Sequence, residues 1–169
     1  MTWQHGRQTP DNNLMRFVAR KFSSPAVMLD IGSGEGANAR ELLIRKHAVI
    51  TLDVNPATNP EHCIDIRDFD GRSGPYDCVY DINTLCHVPG PPFEKIKSWL
   101  KPGGFFFSIF PTSEAPDSVC EGKNFTRRRT LDEAAAMLRP VFPHARIWYY
   151  LAPDFIGNYL SSWVVEAQR

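Results

Sequence analysis

The chain has 169 residues, with 19 Lys and Arg against 19 Asp and Glu and therefore no formal net charge. That length suits one domain, and a hydrophobic share of 43% is enough to fill its core. Neutral charge argues against holding nucleic acid by phosphate neutralisation or a membrane by a polybasic patch, and no apolar run approaches the ~20 residues of a spanning helix.

Thr9-Pro10 reads as a helix N-cap followed by proline at the first helical position, with Leu14, Phe17, Val18 and Phe22 at helical spacing. Ala26 to Ile31 is a short buried strand. Gly32 to Gly36 is a glycine-rich turn, and Ala37 to Lys46 a helix with Ala39, Leu42 and Leu43 on one face. Ala48 to Asp53 is the second strand, so the segment is a βαβ unit with parallel strands. A short third strand is expected over His62 to Asp65. The prolines at 56 and 60, then Gly71, Gly74 and Pro75, leave no room for full crossover helices on either side of it. Tyr76 to Ile82 is the fourth strand, Pro91 to Leu100 a helix, and Lys101-Pro102-Gly103-Gly104 a turn into a fifth strand, Phe105 to Phe110. Thr130 and Glu133 form a capping box that opens another helix. Ala145 to Leu151 and Leu160 to Ala167 are strands joined too closely for a parallel crossover, so they pair antiparallel. The whole is a single α/β domain, residues 1–169, with an N-terminal helix or lid in 1–25 and the core in 26–169.

The glycine turn sits where a strand hands over to a helix. Glycine lets backbone approach a ligand closely, and the helix start presents free N–H groups. Asp53 ends the next strand, where an acid accepts hydrogen bonds from both hydroxyls of a ribose. Together these residues predict an adenosine-containing cofactor. Gly32-x-Gly34-x-x-Ala37 formally fits the dinucleotide fingerprint. However, Asp30 would repel a diphosphate and suits a cationic or zwitterionic group, and the third glycine comes one residue early.

Asp30-Ile31-Gly32-Ser33-Gly34-Glu35-Gly36 resembles the first motif of the class I S-adenosylmethionine-dependent methyltransferases. Tyr76-Asp77-Cys78-Val79 is similar to that family's fourth strand, Leu85-Cys86-His87-Val88 to the segment after it, and Leu100-Lys101-Pro102-Gly103-Gly104 to the turn before the fifth strand. The resemblance spans residues 26–168. It implies a doubly wound, mostly parallel seven-stranded sheet of Rossmann-like type with an antiparallel terminal hairpin, and S-adenosyl-L-methionine as cofactor. It implies cofactor contacts from Asp30, Gly32, Ser33, Gly34, Gly36, Asp53, Val54, Asp65, Ile66 and Asp81. The chain departs from the family in its missing helices beside strand three, which thins one flank of the sheet.

Several residues carry two readings. Asp81 binds the cofactor's ammonium group or is a hydrogen-bonded structural acid. Asp65 borders the adenine or is a solvated loop carboxylate, Asp53 binds the ribose or is a turn former that ends its strand, and Phe69 stacks on the base or packs in the core. His87 is a general base, since histidine titrates near neutral pH, or a capping or packing residue, and Asn83 faces the same choice. One of Arg127, Arg128 and Arg129 reaches toward an anionic acceptor, or the run is a solvated loop. Trp3, His5 and Arg7 form part of a lid or a tail. The implied activity is methyl transfer to a small-molecule acceptor by in-line displacement at the sulfonium methyl. The alternatives are an RNA or protein methyltransferase, a nucleotide-dependent oxidoreductase, or a non-catalytic binding protein. Cys63, Cys78, Cys86 and Cys120 show no C-x-x-C spacing, so reduced thiols, a cytoplasmic location and no metal site are expected. No nucleic acid or membrane partner is expected, and the chain is read as a monomer or homodimer.

Overall fold

Period-two apolar runs and period-3.6 apolar stripes alternate along the chain, and the computed structural model turns them into a sheet with helices on both faces. It describes residues 9–112, 129–153 and 159–169. In chain order the elements are α1 (Asn12–Lys21), β1 (Val27–Ile31), α2 (Ala37–Ile44), β2 (Ala48–Asp53), β3 (His62–Cys63), β4 (Tyr76–Ile82), α3 (Phe93–Trp99), β5 (Leu100–Pro111), α4 (Leu131–Leu138), β6 (Arg146–Pro153) and β7 (Tyr159–Gln168). A 3-10 turn, Pro56–Thr58, replaces a helix between β2 and β3, and another, Leu85–His87, follows β4.

The strands form a seven-stranded sheet in the order β3-β2-β1-β4-β5-β7-β6. β1 lies parallel to β2 and β4, with Asp30 opposite Thr51 on one side and Tyr80 on the other. β2–β3 and β4–β5 are parallel, while β5–β7 and β6–β7 are antiparallel. The doubly wound sheet with an antiparallel terminal hairpin is therefore observed. From β1 the chain winds outward through β2 and β3, then crosses back to β4. That reversal leaves a crevice at the carboxyl ends of β1 and β4, where open α/β sheets bind ligands.

Alternation along the strands divides the core. Leu29, Ile31, Leu52, Val79 and Phe106 pack on one face beneath α3 and α4; Met28, Cys78, Tyr80, Phe107 and Val164 pack on the other beneath α1 and α2. Phe17 of α1 lies 4.8 Å from Phe107, ring centroid to centroid. Fully burying such a side chain contributes about 1.5–3 kcal/mol. Arg20 pairs with the buried Glu166, tying the far end of α1 to β7.

Four local expectations change. Asp11, not Thr9, caps α1, because its carboxylate accepts from Asn13 N (2.8 Å) and Leu14 N (3.1 Å). α2 ends at Ile44 and buries Ala39 and Leu42, while Leu43 stays 52% exposed on the last turn. β3 stops at Cys63 because the chain turns at Asp65, whose carbonyl accepts from Asp68 and Phe69. β5 begins at Leu100, pairs with Tyr76, and shifts register through the Lys-Pro-Gly-Gly segment before Phe105 meets Cys78. No helix among the described residues is long and apolar enough to cross a membrane.

Candidate functional site

The glycine turn is built by its neighbours' backbone. Leu52 O, at the end of β2, accepts from Gly32 N (2.7 Å) and Ser33 N (3.1 Å). Gly32, Gly34 and Gly36 all have positive φ, the left-handed conformation in which L side chains are strained. Two of them have opposite surroundings. A Cβ on Gly32 would fall 2.0 Å from Thr84 Oγ1, so the loops after β1 and β4 meet there without room for a side chain. A Cβ on Gly34 would meet nothing within 4 Å, so its Cα faces open space. Gly36 closes the turn as the N-cap of α2.

Asp53 holds this turn from β2. Its Oδ2 accepts from Gly34 N and its Oδ1 from Asn55 N, each at 2.8 Å. Val54, next along, is 50% exposed. Asp65 is clasped by its own loop: Arg67 donates from its backbone, Nε and Nη2, and those bonds hold the carboxyl below the usual range. Ile66 is 5% exposed and belongs to the core. Phe69 is buried too, with its ring 5.2 Å from Trp99 and 5.1 Å from His62, which decides for the core reading.

Two acids flank the crevice from opposite faces of the sheet. Asp81 is fully buried. Its Oδ1 accepts from Thr84 N (2.8 Å) and Leu85 N (2.9 Å), and its Oδ2 from Ser108 Oγ (2.7 Å). Burial pushes its carboxyl up to about 6, against the pull of those donors. Its carboxylate therefore organises the loop after β4. Asp30 is 2% exposed, and its Oδ2 has no hydrogen-bond partner. Burial pushes Asp30 up to about 8; the neighbouring Tyr80 hydroxyl pulls the other way, and Asp81 and Asp53 add to the rise. The influence of Tyr80 falls short of a full hydrogen bond, since its hydroxyl is likewise unpartnered.

Asn83 follows β4 with φ 58° and donates its backbone N–H to Ile109 O (2.7 Å). Its buried Oδ1 has no hydrogen-bond partner. His87 is exposed at the end of the next turn, and its backbone N–H donates to Thr84 O (2.9 Å). Arg129 is buried, and its carbonyl accepts from Trp163 Nε1 (2.8 Å). Arg127, Arg128, Trp3, His5, Arg7 and Cys120 lie outside the described residues.

The fold thus gathers the glycine turn, Asp30, Asp53, Asp81, Asn83 and the β4 loop at one edge, with Asp65 and Ile66 on the adjoining loop after β3. Sequence reasoning missed three residues. Ser108 was findable as the one polar residue in Phe105 to Phe110, opposite an acid. Thr84, three residues after Asp81, marks a carboxylate closing a turn on backbone N–H groups. Tyr80 required the β1–β4 register.

A glycine-lined turn opening a helix, an acid ending the next strand and a crevice at the sheet reversal define a nucleoside-binding α/β protein. Residues 3–162 match the family described as methyltransferase domain, and the chain belongs to it: a class I S-adenosylmethionine-dependent methyltransferase. The fold is similar to the Burkholderia thailandensis 1,6-didemethyltoxoflavin-N1-methyltransferase, solved with bound 1,6-didemethyltoxoflavin and S-adenosylhomocysteine (TM-score 0.73, 21% identity, 94% of this chain and 77% of that one). It is similar to an S-adenosylmethionine-dependent methyltransferase of Methanosarcina mazei (TM-score 0.73, 14% identity, 90% and 96% of the two chains). It also resembles one of Archaeoglobus fulgidus (TM-score 0.70, 13% identity, 93% and 92%). At these identities the likeness is one of fold. No curated protein sequence matches the chain.

The residues present fit the family's cofactor, S-adenosyl-L-methionine. Gly34 leaves an open place for it, and Asp30 offers an unsatisfied buried acceptor beside the turn. Among the described residues no His, Cys, Asp or Glu group converges as a metal site.

Proposed function

We propose that the chain transfers a methyl group from S-adenosylmethionine to a small-molecule acceptor. The observation that carries the site reading is the pairing of an open, left-handed Gly34 with the Asp53 carboxylate that holds it. When bound, the cofactor supplies a methyl group activated on a sulfonium, transferred by in-line displacement. The protein's part is then to align the acceptor and exclude water.

In this reading Asp30, Gly32, Ser33, Gly34 and Gly36 cradle the amino-acid end. Asp53 uses its remaining lone pairs for the ribose, and Val54 offers an exposed apolar surface beside it. Asp65 and Ile66 border the adenine, Ile66 through its backbone, since its side chain is committed to the core. Asp81 acts through its backbone, with its carboxylate fixing the loop after β4. The acceptor sits above β4 and β5. Asn83 orients it there, and His87 takes its proton where the acceptor carries one at neutral pH.

A small acceptor is supported by the neutral charge of the chain and by the acceptor 1,6-didemethyltoxoflavin in a fold neighbour. An anionic acceptor rests on the arginine run, of which Arg129 is buried away from solvent. A cytoplasmic enzyme acting alone or as a homodimer completes the reading.

The test is a methyl-transfer screen over small metabolites, bulk RNA and protein, read by S-adenosylhomocysteine release. Turnover with one or more metabolites is expected. Turnover confined to RNA or protein would replace the acceptor class, and tight binding of NAD without S-adenosylhomocysteine would replace the chemistry. With an acceptor in hand, His87→Ala is expected to lower turnover and leave cofactor affinity near wild type.

A further inference from the structure

Asp30 stands out among the buried groups. It is enclosed between β2 and β4, on the face of the sheet that α1 covers. One carboxylate oxygen has no hydrogen-bond partner, and the hydroxyl of Tyr80, its register partner on β4, has none either. A third unpartnered group, Asn13 Nδ2, belongs to the first turn of α1. That turn is moored to the start of α2, because Asp11 N donates to Asn38 Oδ1 at 2.7 Å. Three unsatisfied polar groups thus come from elements that border the glycine turn.

Among the described residues, the groups that act electrically on Asp30 are the Tyr80 hydroxyl and two further acids, Asp81 and Asp53. β4 brings Tyr80, Cys78 and Asp81, and β2 brings Asp53. α1 begins at Asp11, and the turn into α2 carries Glu35. Arg40 of α2 donates to the Glu35 carbonyl. An ionised carboxylate here would be buried, short of donors and beside other acids, which costs far more than a neutral carboxyl group.

We propose that Asp30 and Tyr80 form a proton-holding pair at the cofactor site: Asp30 is a neutral acid in the free protein, loses its proton to solvent as the cofactor's ammonium group arrives, and then accepts a hydrogen bond from Tyr80. This rests on the glycine turn being the cofactor site. The cation supplies the partner that the carboxylate lacks, so binding and ionisation favour one another. Tyr80 thereby becomes a cofactor-site residue that touches the ligand only through Asp30, a positioning residue.

The sign of the pH effect follows. Burial places Asp30 at about 8 in the free protein. Below that pH each ligand that binds must expel a proton, so affinity rises about tenfold per pH unit and levels off above about pH 8. Stability of the free protein runs the other way. An acid whose folded pKa is raised stabilises most at low pH, and that stability is lost as pH rises through the folded value.

The experiment is titration calorimetry of the whole chain with S-adenosylhomocysteine, in buffers of differing ionisation enthalpy between about pH 6 and pH 9. Wild type is expected to release about one proton per ligand at the acidic end. Asp30→Asn is expected to remove both the release and the pH slope. Tyr80→Phe is expected to keep the release but move the plateau to higher pH, because its hydroxyl no longer favours the ionised acid. Denaturant unfolding without ligand gives a second readout: wild type loses stability relative to Asp30→Asn as pH rises. Equal heats in all buffers with a flat pH profile in wild type would overturn the pair while leaving the cofactor site standing. Failure to bind S-adenosylhomocysteine at any pH would overturn the site itself. If Asp30→Asn does not fold, the wild-type buffer series and Tyr80→Phe still decide.

Discussion

Gly32 and Gly34 share a backbone conformation and differ in what surrounds them, so alanine at each separates folding from binding. At Gly34 the new methyl meets nothing within 4 Å, and only the left-handed φ of 52° opposes it. The cost to stability is about 1–2 kcal/mol. Binding of S-adenosylhomocysteine is expected to fall by tenfold or more, because the methyl occupies the open approach to the turn. At Gly32 the methyl runs into Thr84, so strain and overpacking add to roughly 2–5 kcal/mol. Thermal unfolding and ligand titration on both variants check this: Gly34→Ala should lose affinity out of proportion to stability, and Gly32→Ala should lose both. The glycine spacing with Asp53 was legible from sequence because each position answers to a local rule. The difference between the two glycines was not, since it depends on a threonine more than fifty residues away, brought in by the crossing from β3 to β4. Asp81 is the same lesson: its place was readable and two of its donors, Thr84 N and Leu85 N, are local, while the third depends on the Ser108 register.

The elements were read best where a local signal is strong. The capping box at Thr130 and Glu133 is present, with the Glu133 carboxylate accepting from Thr130 N at 2.9 Å. β2 and β4 begin and end where alternation and flanking breakers put them. The start of α1 moved because two candidates, Thr9 and Asp11, stand two residues apart, and Asp11 satisfies two backbone donors while its own N–H is held by Asn38. Local sequence cannot weigh that contact with α2. It does make a prediction: Asp11→Ala should cost about 1–2 kcal/mol through the lost N-cap, as read in denaturant unfolding. Because this turn leads toward the Asp30 face, cofactor affinity should weaken as well. An unchanged stability would show that the cap is replaceable.

At the scale of the molecule, one sheet separates two apolar layers, and the chain crosses between them more than once. The parallel β1–β2 pair and the antiparallel terminal pair were legible, because a βαβ crossover has one favoured hand and the terminal link is too short for parallel strands, whereas the order of the strands across the sheet was not read from the residues themselves. The meagre cover beside β3 was equally legible from its prolines and glycines, and a 3-10 turn stands where a helix would otherwise lie. Whether the two layers are independent is a question of energetics. Phe106 and Phe107 are neighbours on β5, both fully buried, and they point to opposite layers. Truncating either to alanine is expected to cost about 3–5 kcal/mol. If the layers form one folding unit over residues 1–169, each variant lowers a single transition, and far-UV and near-UV dichroism move together. Saturating S-adenosylhomocysteine should raise that same transition in wild type, since it binds only the folded state. Separate transitions in Phe106→Ala, with the α1 and α2 layer persisting after the other is lost, would divide the domain in two. Sharing argues against that outcome. Every strand between β1 and β7 presents one face to each layer, so neither can loosen without stripping the backbone partners of the other.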